Sequence, residues 1–355
     1  MDNKSDEKIS FNEKGECNYC ADARKEINTI TYFPGSKGKT LLDKLISEIK
    51  EANKDKEYDC IMGISGGLDS SYLAYLGHLW GLRILGIHID DGFDTDVSKE
   101  NIRKLCEAAN IELKIIKPDK EQYIELIKAY MKAGVPNLAV PQDNILFAYL
   151  YKIAKETKIK YFLSGGNFAL ECILQQGNTY DTMDVINIVD INRRFGKSNL
   201  DKLEFCSSYK KYYMQKTKQI INVRPLNYID YNRDRAFKEL ADFCGFEYYG
   251  SKHLENIFTA FVQLYWLPKK FGVDKRHSHL SSMIVSGQLT RNEAIELLQK
   301  PAYDAELMDS YIEIIKDVFN FSDDEFDNLM AQEKHYHEEY KTDKFGKFVR
   351  KLFFS

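Results

Sequence analysis

The stretch YDCIMGISGGLDSS, residues 58–71, decides the fold of this 355-residue chain. Its first half, residues 58–64, is a short apolar run with little alternation, which indicates a β-strand buried on both faces. The second half, Ser65-Gly66-Gly67-Leu68-Asp69-Ser70, puts two glycines and two serines where the next helix begins. Glycine N–H groups, serine hydroxyls and the positive end of a helix all favour a bound anion. We call these six residues the SGGLDS loop, and they predict a phosphate site.

The SGGLDS loop differs from two common nucleotide-binding motifs. It lacks the Gly-Lys-Ser/Thr ending of the ordinary P-loop and the G-x-G-x-x-G spacing of dinucleotide sites. Asp69 is an unusual neighbour for phosphates, and we expect it to orient Mg²⁺ or to hold the loop. The alternative to a phosphate site is a purely structural role, in which these residues form a tight strand-to-helix turn capped by serine and aspartate.

Strands and helices alternate along the first part of the chain. Strand patterns recur at residues 83–89, 113–116 and 160–163, and helical patterns at residues 97–109, 120–132 and 143–157. This alternation predicts an α/β fold with a parallel, doubly wound sheet, in which ligands bind at the carboxyl ends of the strands. Two more polar loops fall at such ends, Asp90-Asp91-Gly92 and Ser164-Gly165-Gly166-Asn167. We call the latter the SGGN loop.

The pattern changes near residue 251, after which only helical signals remain. We therefore expect three parts. Residues 1–30 form a small N-terminal Cys-x-x-Cys segment, residues 31–250 form the α/β domain, and residues 251–355 form a helical region for substrate or partner binding.

Charge and composition narrow the function classes. The 50 basic and 54 acidic residues give a net charge of −4, which argues against a protein whose main task is to grip nucleic acid. The chain lacks an apolar run of the length that a membrane helix needs. Its first ten residues are polar, without the apolar core of a signal peptide. We expect a cytoplasmic protein that has no membrane partner.

Cys17 and Cys20 form the closest pair among seven scattered cysteines. A Cys-x-x-Cys pair is half of a zinc site, so we expect Zn²⁺ here, with the remaining ligands drawn from distant parts of the chain. Redox or sulfur chemistry and two inert thiols are the alternatives that the sequence leaves open.

The SGGLDS loop after a buried strand resembles the signature of the PP-loop ATP pyrophosphatases, which include GMP, asparagine and NAD synthetases and tRNA-modifying ligases. The resemblance implies that ATP, with Mg²⁺, is cleaved to AMP and pyrophosphate while a substrate oxygen attacks the α-phosphate. It implies that Ser65 and Asp69 take part in the reaction. The nucleotide contacts that it implies are Ser65, Gly66, Gly67, Asp69, Ser70, Asp90, Gly165, Asn167 and Glu171.

Four further stretches are similar to the N-acetyl sugar amidotransferase family: residues 11–20, 248–253, 267–282 and 286–294. That family makes acetamidino sugars for surface polysaccharides, including lipopolysaccharide, and for flagellar glycans. The resemblance implies a sugar or nucleotide-sugar substrate. We expect a basic cluster to hold the anionic group of this substrate. Two of its members, Lys275 and Arg276, are also expected to take part in catalysis. The cluster consists of Lys252, His253, Lys270, Lys275 and Arg276.

Nitrogen supply follows from what the sequence lacks. It contains no recognisable glutaminase motif, so ammonia has to come from solution or from a partner. The family resemblance implies a separate glutaminase subunit and a cyclase-like subunit. Two other readings stay open: a PP-loop tRNA-modifying ligase or thiolase, and a nucleotide-binding protein without catalysis. The charge balance and the lack of a basic, aromatic-interleaved module argue against nucleic acid.

Overall fold

A five-stranded parallel sheet forms the centre of the molecule in the computed structural model, which describes residues 1–250, 254–344 and 346. The strands are β1 (Cys60–Gly63), β2 (Ile84–Ile89), β3 (Glu112–Ile116), β4 (Tyr161–Leu163) and β5 (Ile221–Val223). Their spatial order is β3-β2-β1-β4-β5, and every neighbouring pair is parallel. The predicted doubly wound α/β sheet is confirmed.

The sheet changes direction between β1 and β4. From β1 the chain runs outward to β2 and β3, and it then returns to the other side of β1 to form β4 and β5. The connections that leave β1 and β4 therefore diverge, and such a divergence opens a crevice at the carboxyl ends of the two strands. The SGGLDS loop follows β1 and the SGGN loop follows β4, so both lie at this crevice.

Helices cover both faces of the sheet because residues of a strand point alternately to opposite sides. Cys60 and Met62 pack with the helices on one face, whereas Ile61 between them packs with the helix on the other face. The first face is covered by α2 (Ser36–Ala52), α3 (Leu68–Leu79) and α4 (Asp96–Ala108), and the second by α6 (Val140–Thr157). Of these, α4 and α6 match the predicted helical patterns at residues 97–109 and 143–157.

A second core joins the C-terminal helices to the sheet domain. Trp266 is fully buried there, and its indole nitrogen donates a hydrogen bond to the carbonyl of Val135 at 3.0 Å. The helices that meet around it include α5 (Lys120–Ala133), α8 (Val185–Phe195), α14 (Ala305–Phe319) and α15 (Asp323–Ala331). Trp266 itself lies in a π-helical segment, Phe261–Phe271, which continues the short α11 (Ile257–Ala260).

Six further α-helices lie in the described part of the chain. They are α1 (Asn18–Glu26), α7 (Phe168–Glu171), α9 (Ser208–Lys216), α10 (Arg233–Cys244), α12 (Arg276–Val285) and α13 (Arg291–Gln299), with 3₁₀ turns at Gln176–Asn178, Pro225–Tyr228 and His337–Glu339. In the described part of the chain no strand follows β5, as the sequence predicts. No helix within the described ranges is both long and apolar enough to cross a membrane.

The N-terminal segment packs on the C-terminal helices. The amino group of Met1 donates to Ser281 of α12 at 3.2 Å, and Asp2 lies 3.2 Å from His277 of the same helix. Ala23 of α1 is buried in the core of the sheet domain. Residues 1–30 are therefore bound to both of the other predicted parts of the chain. The three-part division itself stays a prediction.

Candidate active site

A cavity of about 390 Å³ opens at the carboxyl ends of β1, β2 and β4. The two predicted loops form its floor, since Ser65, Gly67, Asp69 and Ser70 line it together with Gly165 and Gly166. Glu171, five residues after Gly166, also lines the cavity. The structure thus brings together two segments that lie about a hundred residues apart in the sequence.

The SGGLDS loop is held in a tight ring by its own serines. The hydroxyl oxygens of Ser65 and Ser70 are 3.0 Å apart, and Ser70 donates to the carbonyl of Gly67 at 3.1 Å. Gly66 has a φ of +78°, and a Cβ there would lie 2.2 Å from the hydroxyl oxygen of Ser98. Only glycine meets both conditions, because the left-handed region and the contact each disfavour a side chain.

The N-terminus of α3 points its peptide dipoles at this loop. Its N-cap residue, Gly67, has no side chain that could cap the helix. The N–H of Leu68 donates to the hydroxyl of Tyr249 at 2.9 Å. An N-terminus without a side-chain cap favours an anionic ligand at its first turn, which suits the phosphates of a nucleotide.

Gly165 is the contact between the two loops. A Cβ at this position would lie 3.0 Å from the backbone nitrogen of Ser70 and 3.2 Å from the carbonyl carbon of Asp69. The SGGN loop therefore lies directly against the backbone of the SGGLDS loop. Any side chain at Gly165 would push the two loops apart.

Asp69 is fixed by a buried tyrosine. The hydroxyl of Tyr231 donates to one carboxylate oxygen of Asp69 at 2.5 Å, and Tyr231 is fully buried. Burial, followed by the charge of Asp69, raises the pKa of Tyr231 well above its usual value, so the phenol remains a proton donor. This bond holds the half-buried carboxylate at the cavity wall.

The carboxylates at the cavity suit Mg²⁺. Asp69 and Glu171 both line the cavity, and carboxylate oxygens are ligands that Mg²⁺ prefers. Mg²⁺ is usually held by one or two carboxylates together with substrate phosphates, rather than by a complete protein cage. Asp69 and Glu171 are the residues that would hold Mg²⁺ beside a bound nucleotide.

At the end of β2 the carboxylate that faces the cavity is Asp91, where the sequence predicted Asp90. Asp90 turns away and pairs with Lys117 at 3.0 Å, whereas Asp91 lines the cavity. The side chain of Gln142 donates to Asp91 at 2.5 Å, and that of Asn256 does so at 3.3 Å. Burial, followed by the charge of a neighbouring aspartate, raises the pKa of Asp91. Adjacent residues at a strand end point to opposite sides, which accounts for the difference.

His88 and Asp94 form a buried pair in the same wall. One ring nitrogen of His88 lies 3.0 Å from Asp94, and the other lies 2.8 Å from the carbonyl of Ile64. Burial alone would lower the pKa of His88, but the hydrogen bond and charge of Asp94 outweigh it, and the pKa is raised. Both nitrogens face acceptors, so the pair ties β2 to the residue that precedes the SGGLDS loop.

Asp143 is a cavity residue that the sequence did not reveal. It lies in the first turn of α6, half-buried, and lines the cavity. Desolvation raises the pKa of Asp143 to about 6. Within the described ranges its carboxylate makes no hydrogen bond or ion pair. A carboxylate without a partner in a ligand cavity is suited to accept a proton or to hold a cation. No motif marks this position, because the residue types of its helix are ordinary.

Asn167 lies outside the cavity wall. It is buried and caps the short helix α7, since its side-chain oxygen accepts the N–H of Leu170 at 2.9 Å. Its amide nitrogen donates to the carbonyl of Gly165 at 3.2 Å. Asn167 therefore shapes the SGGN loop from behind, which differs from the direct nucleotide contact that the sequence predicted.

Two members of the predicted basic cluster have structural partners. The ammonium group of Lys270 donates to the carbonyls of Leu329 and Gln332 at 2.9 and 2.8 Å. That of Lys275 donates to the side chain of Asn178 at 2.8 Å, and burial lowers the pKa of Lys275 to about 8. Neither residue lines the cavity at the SGGLDS loop. The sequence could not reveal these partners because they lie far along the chain.

Arg276, the next member, forms an ion pair with Asp274 at 2.7 Å and donates to the carbonyl of Lys300 at 2.8 Å. It also lies outside the cavity wall. Lys252 and His253 lie outside the described residues. Each described member of the predicted cluster is thus bonded to other groups of the protein, and these members do not form an open anion site at this cavity.

Cys17 and Cys20 lie at the start of α1. The Cys17 sulfur accepts the N–H of Cys20 at 3.3 Å as the N-cap of that helix. A hydrogen bond from the Cys20 thiol, opposed by burial, lowers the pKa of Cys17 to about 6. A structural zinc site needs four ligands, and within the described ranges no third ligand joins the pair. The predicted zinc therefore has no support in the structure.

The parallel sheet carries the SGGLDS loop at its switch point, with an acidic cavity beside it, and this arrangement suits a bound nucleotide. Residues 255–353 match the family model described as "LPS biosynthesis protein WbpG-like, C-terminal domain". The C-terminal part of the chain is therefore similar to WbpG-like C-terminal domains. The match contains two of the four similar stretches, residues 267–282 and 286–294.

The chain has a remote curated relative. The chain is 27% identical over 117 residues to the tRNA-specific 2-thiouridylase MnmA 2 of Fusobacterium nucleatum, a match that covers 31% of this chain. The chain spans about a third, 34%, of that relative's length. So partial a match leaves the reaction of the whole protein open.

Among solved structures, the NMN synthetase of Francisella tularensis is 16% identical, with 80% of this chain and 93% of the other covered and a TM-score of 0.37. The U34-tRNA thiolase NcsA of Methanococcus maripaludis, solved with its [4Fe-4S] cluster, is 15% identical, with 74% and 80% covered and a TM-score of 0.35. TM-scores this low carry no argument about the reaction.

Proposed function

We propose that this protein is an ATP-dependent amidotransferase that converts an acetamido group of a sugar into an acetamidino group. The observation that carries the proposal is the combination of a PP-loop cavity with a WbpG-like domain of lipopolysaccharide biosynthesis in one chain. The cavity suits cleavage of ATP to AMP and pyrophosphate, and the domain favours a sugar substrate.

The chemistry balances in two steps. In the first, the acetamido oxygen forms a bond to the α-phosphorus of ATP, the bond to the β-phosphate oxygen breaks, and pyrophosphate leaves. In the second, ammonia adds to the activated carbon, the carbon–oxygen bond breaks, and AMP leaves with the former amide oxygen. The acetamidino product gains one nitrogen and loses one oxygen. ADP is formed in neither step.

Each step has a group in the cavity that suits it. Ser65, Ser70 and the α3 N-terminus would hold the leaving pyrophosphate, since donors placed where charge develops stabilise a transition state. Asp69, oriented by Tyr231, would hold Mg²⁺, which neutralises phosphate charge when bound. Asp143 would take up the proton that ammonia loses as it adds to carbon.

Ammonia supply is part of the proposal. The chain has no recognisable glutaminase motif, so we propose a separate glutaminase subunit in the cell, together with a cyclase-like partner. The isolated chain should then use free ammonium and not glutamine. Water must be kept from the activated carbon, because its attack would regenerate the acetamide and waste ATP.

A tRNA-modifying reaction is the second candidate function. The remote thiouridylase relative favours it. So does α9, whose sequence SYKKYYMQK interleaves lysines and tyrosines; it is a short basic and aromatic element that was not recognised from the sequence. The acidic net charge of −4 and the WbpG-like domain favour the sugar reaction instead. The tRNA reaction would be supported if RNA copurifies with the protein and is thiolated or ligated in the presence of ATP.

A direct assay tests the proposed reaction. The purified chain is incubated with ATP, ammonium chloride and a panel of nucleotide-linked acetamido sugars, and the sugars are then analysed by mass spectrometry. We expect one sugar to become lighter by the difference between O and NH while AMP accumulates. The Asp69→Ala variant serves as the inactive control. Formation of ADP would contradict the proposal. So would an unchanged mass of every sugar in the panel when the protein still cleaves ATP.

A further inference from the structure

A second cavity, about 780 Å³ in volume, lies beside the first. Its walls come from the segment that follows α7, from α9, and from the end of β5 with Arg224. Its volume falls within the roughly 300–1,000 Å³ of ordinary ligand sites. None of the residues predicted from the sequence lines it.

The two cavities meet at Gly166. A Cβ at Gly166 would lie 3.8 Å from the guanidinium Nε of Arg224 and 3.9 Å from a carboxylate oxygen of Glu171. Gly166 and Glu171 line the first cavity, and Arg224 lines the second. Gly166 therefore lies between the two cavities, close to Glu171 on one side and to Arg224 on the other.

The polar and aromatic lining of the second cavity suits a carbohydrate. Tyrosine rings offer apolar faces to the C–H groups of a sugar, while hydroxyl and amide groups bond to its hydroxyls. Tyr209 is 66% exposed, which is a high exposed fraction for so large an aromatic side chain. Other lining residues of this kind are Gln176, Thr179, Tyr212, Gln215 and Asn222.

Two cations face the same cavity. In the described part of the chain, the guanidinium of Arg224 has neither an ion pair nor a hydrogen bond. The ammonium group of Lys211 lies 5.9 Å from the centre of the Phe147 ring. Asp181 also lines the cavity, and one of its carboxylate oxygens accepts the N–H of Met183 at 3.0 Å. An arginine fork without a protein partner is suited to a diphosphate, which it can bind through two parallel hydrogen bonds.

We propose that this second cavity is the acceptor site, and that it binds an acetamido sugar linked to a nucleoside diphosphate. Arg224 and Lys211 hold the diphosphate, and Tyr209 and Tyr212 hold the sugar. The acetamido group then reaches the first cavity past Gly166. This inference rests on the proposed function and names the substrate-binding residues that replace the basic cluster predicted from the sequence.

Matched variants on α9 test the proposal. Lys211→Ala and Tyr209→Ala change lining residues, whereas Lys210→Ala and Tyr213→Ala change exposed residues of the same helix that lie outside the wall. Binding of UDP-, GDP- and CMP-linked acetamido sugars is measured by calorimetry without turnover. We expect the two lining variants to weaken binding about tenfold, because a hydrogen bond to a charged group or an aromatic contact is lost. The controls should stay within about twofold, and the KM for ATP should not change.

The outcomes separate this inference from the proposed function. If a sugar of the panel binds as expected but no acetamidino product forms, the reaction is wrong and the acceptor site stands. If product forms while the lining variants and the controls have equal KM values for the sugar, the site is wrong and the reaction stands. If no sugar binds, or if a short RNA binds and loses affinity in the lining variants alone, the acceptor site is overturned.

Discussion

Replacing Gly165 with alanine adds one methyl group at the point where the two cavity loops touch. The new Cβ would lie 3.0 Å from the backbone nitrogen of Ser70, where ordinary contact begins at 3.4 Å. The loops must therefore separate by about 0.4 Å, and backbone on both sides leaves no flexible side chain to absorb the shift. Gly165 itself has no positive φ, so the backbone is not strained by alanine and the close contact alone causes the expected loss of activity.

The expected cost follows from that displacement. A misplacement of about 1 Å in a reacting group lowers a rate about a hundredfold, so about 0.4 Å should lower kcat about fivefold to tenfold. Overpacking should also reduce the free energy of unfolding by about 1 kcal/mol. Pyrophosphate release is assayed with ATP, the acceptor and ammonium, and unfolding is followed in urea. Gly35→Ala is the control, because a Cβ there meets nothing within 4 Å. A wild-type kcat in Gly165→Ala would refute the contact between the loops.

Three further predictions follow from other residues. The wild type should lose activity as the pH falls through about 6, because the Asp143 carboxyl has its pKa raised to about 6 and must be ionised to take a proton. Asp143→Asn should lower kcat about a hundredfold at pH 7 and remove this acid limb, and an unchanged pH–rate profile would exclude Asp143 as the base. His88 should stabilise the fold by its charged pairing with Asp94, fully below the unfolded pKa of 6.5 and less as pH rises through the raised pKa of the folded protein. Urea unfolding of wild type and His88→Gln from pH 5.5 to 9 should show a gap that narrows with pH, and a widening gap would contradict the pairing. The isolated chain should use ammonium with a rate that rises from pH 7 to 9, as the unprotonated fraction grows, and efficient use of glutamine would defeat the separate glutaminase.

Local patterns in the sequence were enough to predict four of the five strands and the SGGLDS loop, whereas β5 was not predicted from them. A buried strand, two glycines and a helix start are neighbours along the chain, so their geometry follows from local rules. Gly66 and Gly165 show why these positions are glycine, since each meets backbone or a hydroxyl at close range.

The acceptor side of the site could not be predicted in the same way. Lys275 and Arg276 stand out in the sequence as basic residues, but their partners Asn178 and Asp274 become visible only in the folded chain. The second cavity, in contrast, is assembled from three segments that carry no common motif. Asp143 gains its raised pKa from burial, which is a property of the fold and not of the neighbouring sequence.

The central claim is that the acetamido oxygen attacks the α-phosphate of ATP. It is tested most directly with an acceptor sugar labelled with ¹⁸O in the acetamido group, ATP and ammonium. Phosphorus NMR and mass spectrometry then locate the label after turnover. Attack by that oxygen predicts one ¹⁸O in each AMP formed and none in pyrophosphate. Label found in inorganic phosphate, with ADP as the other product, would contradict the account.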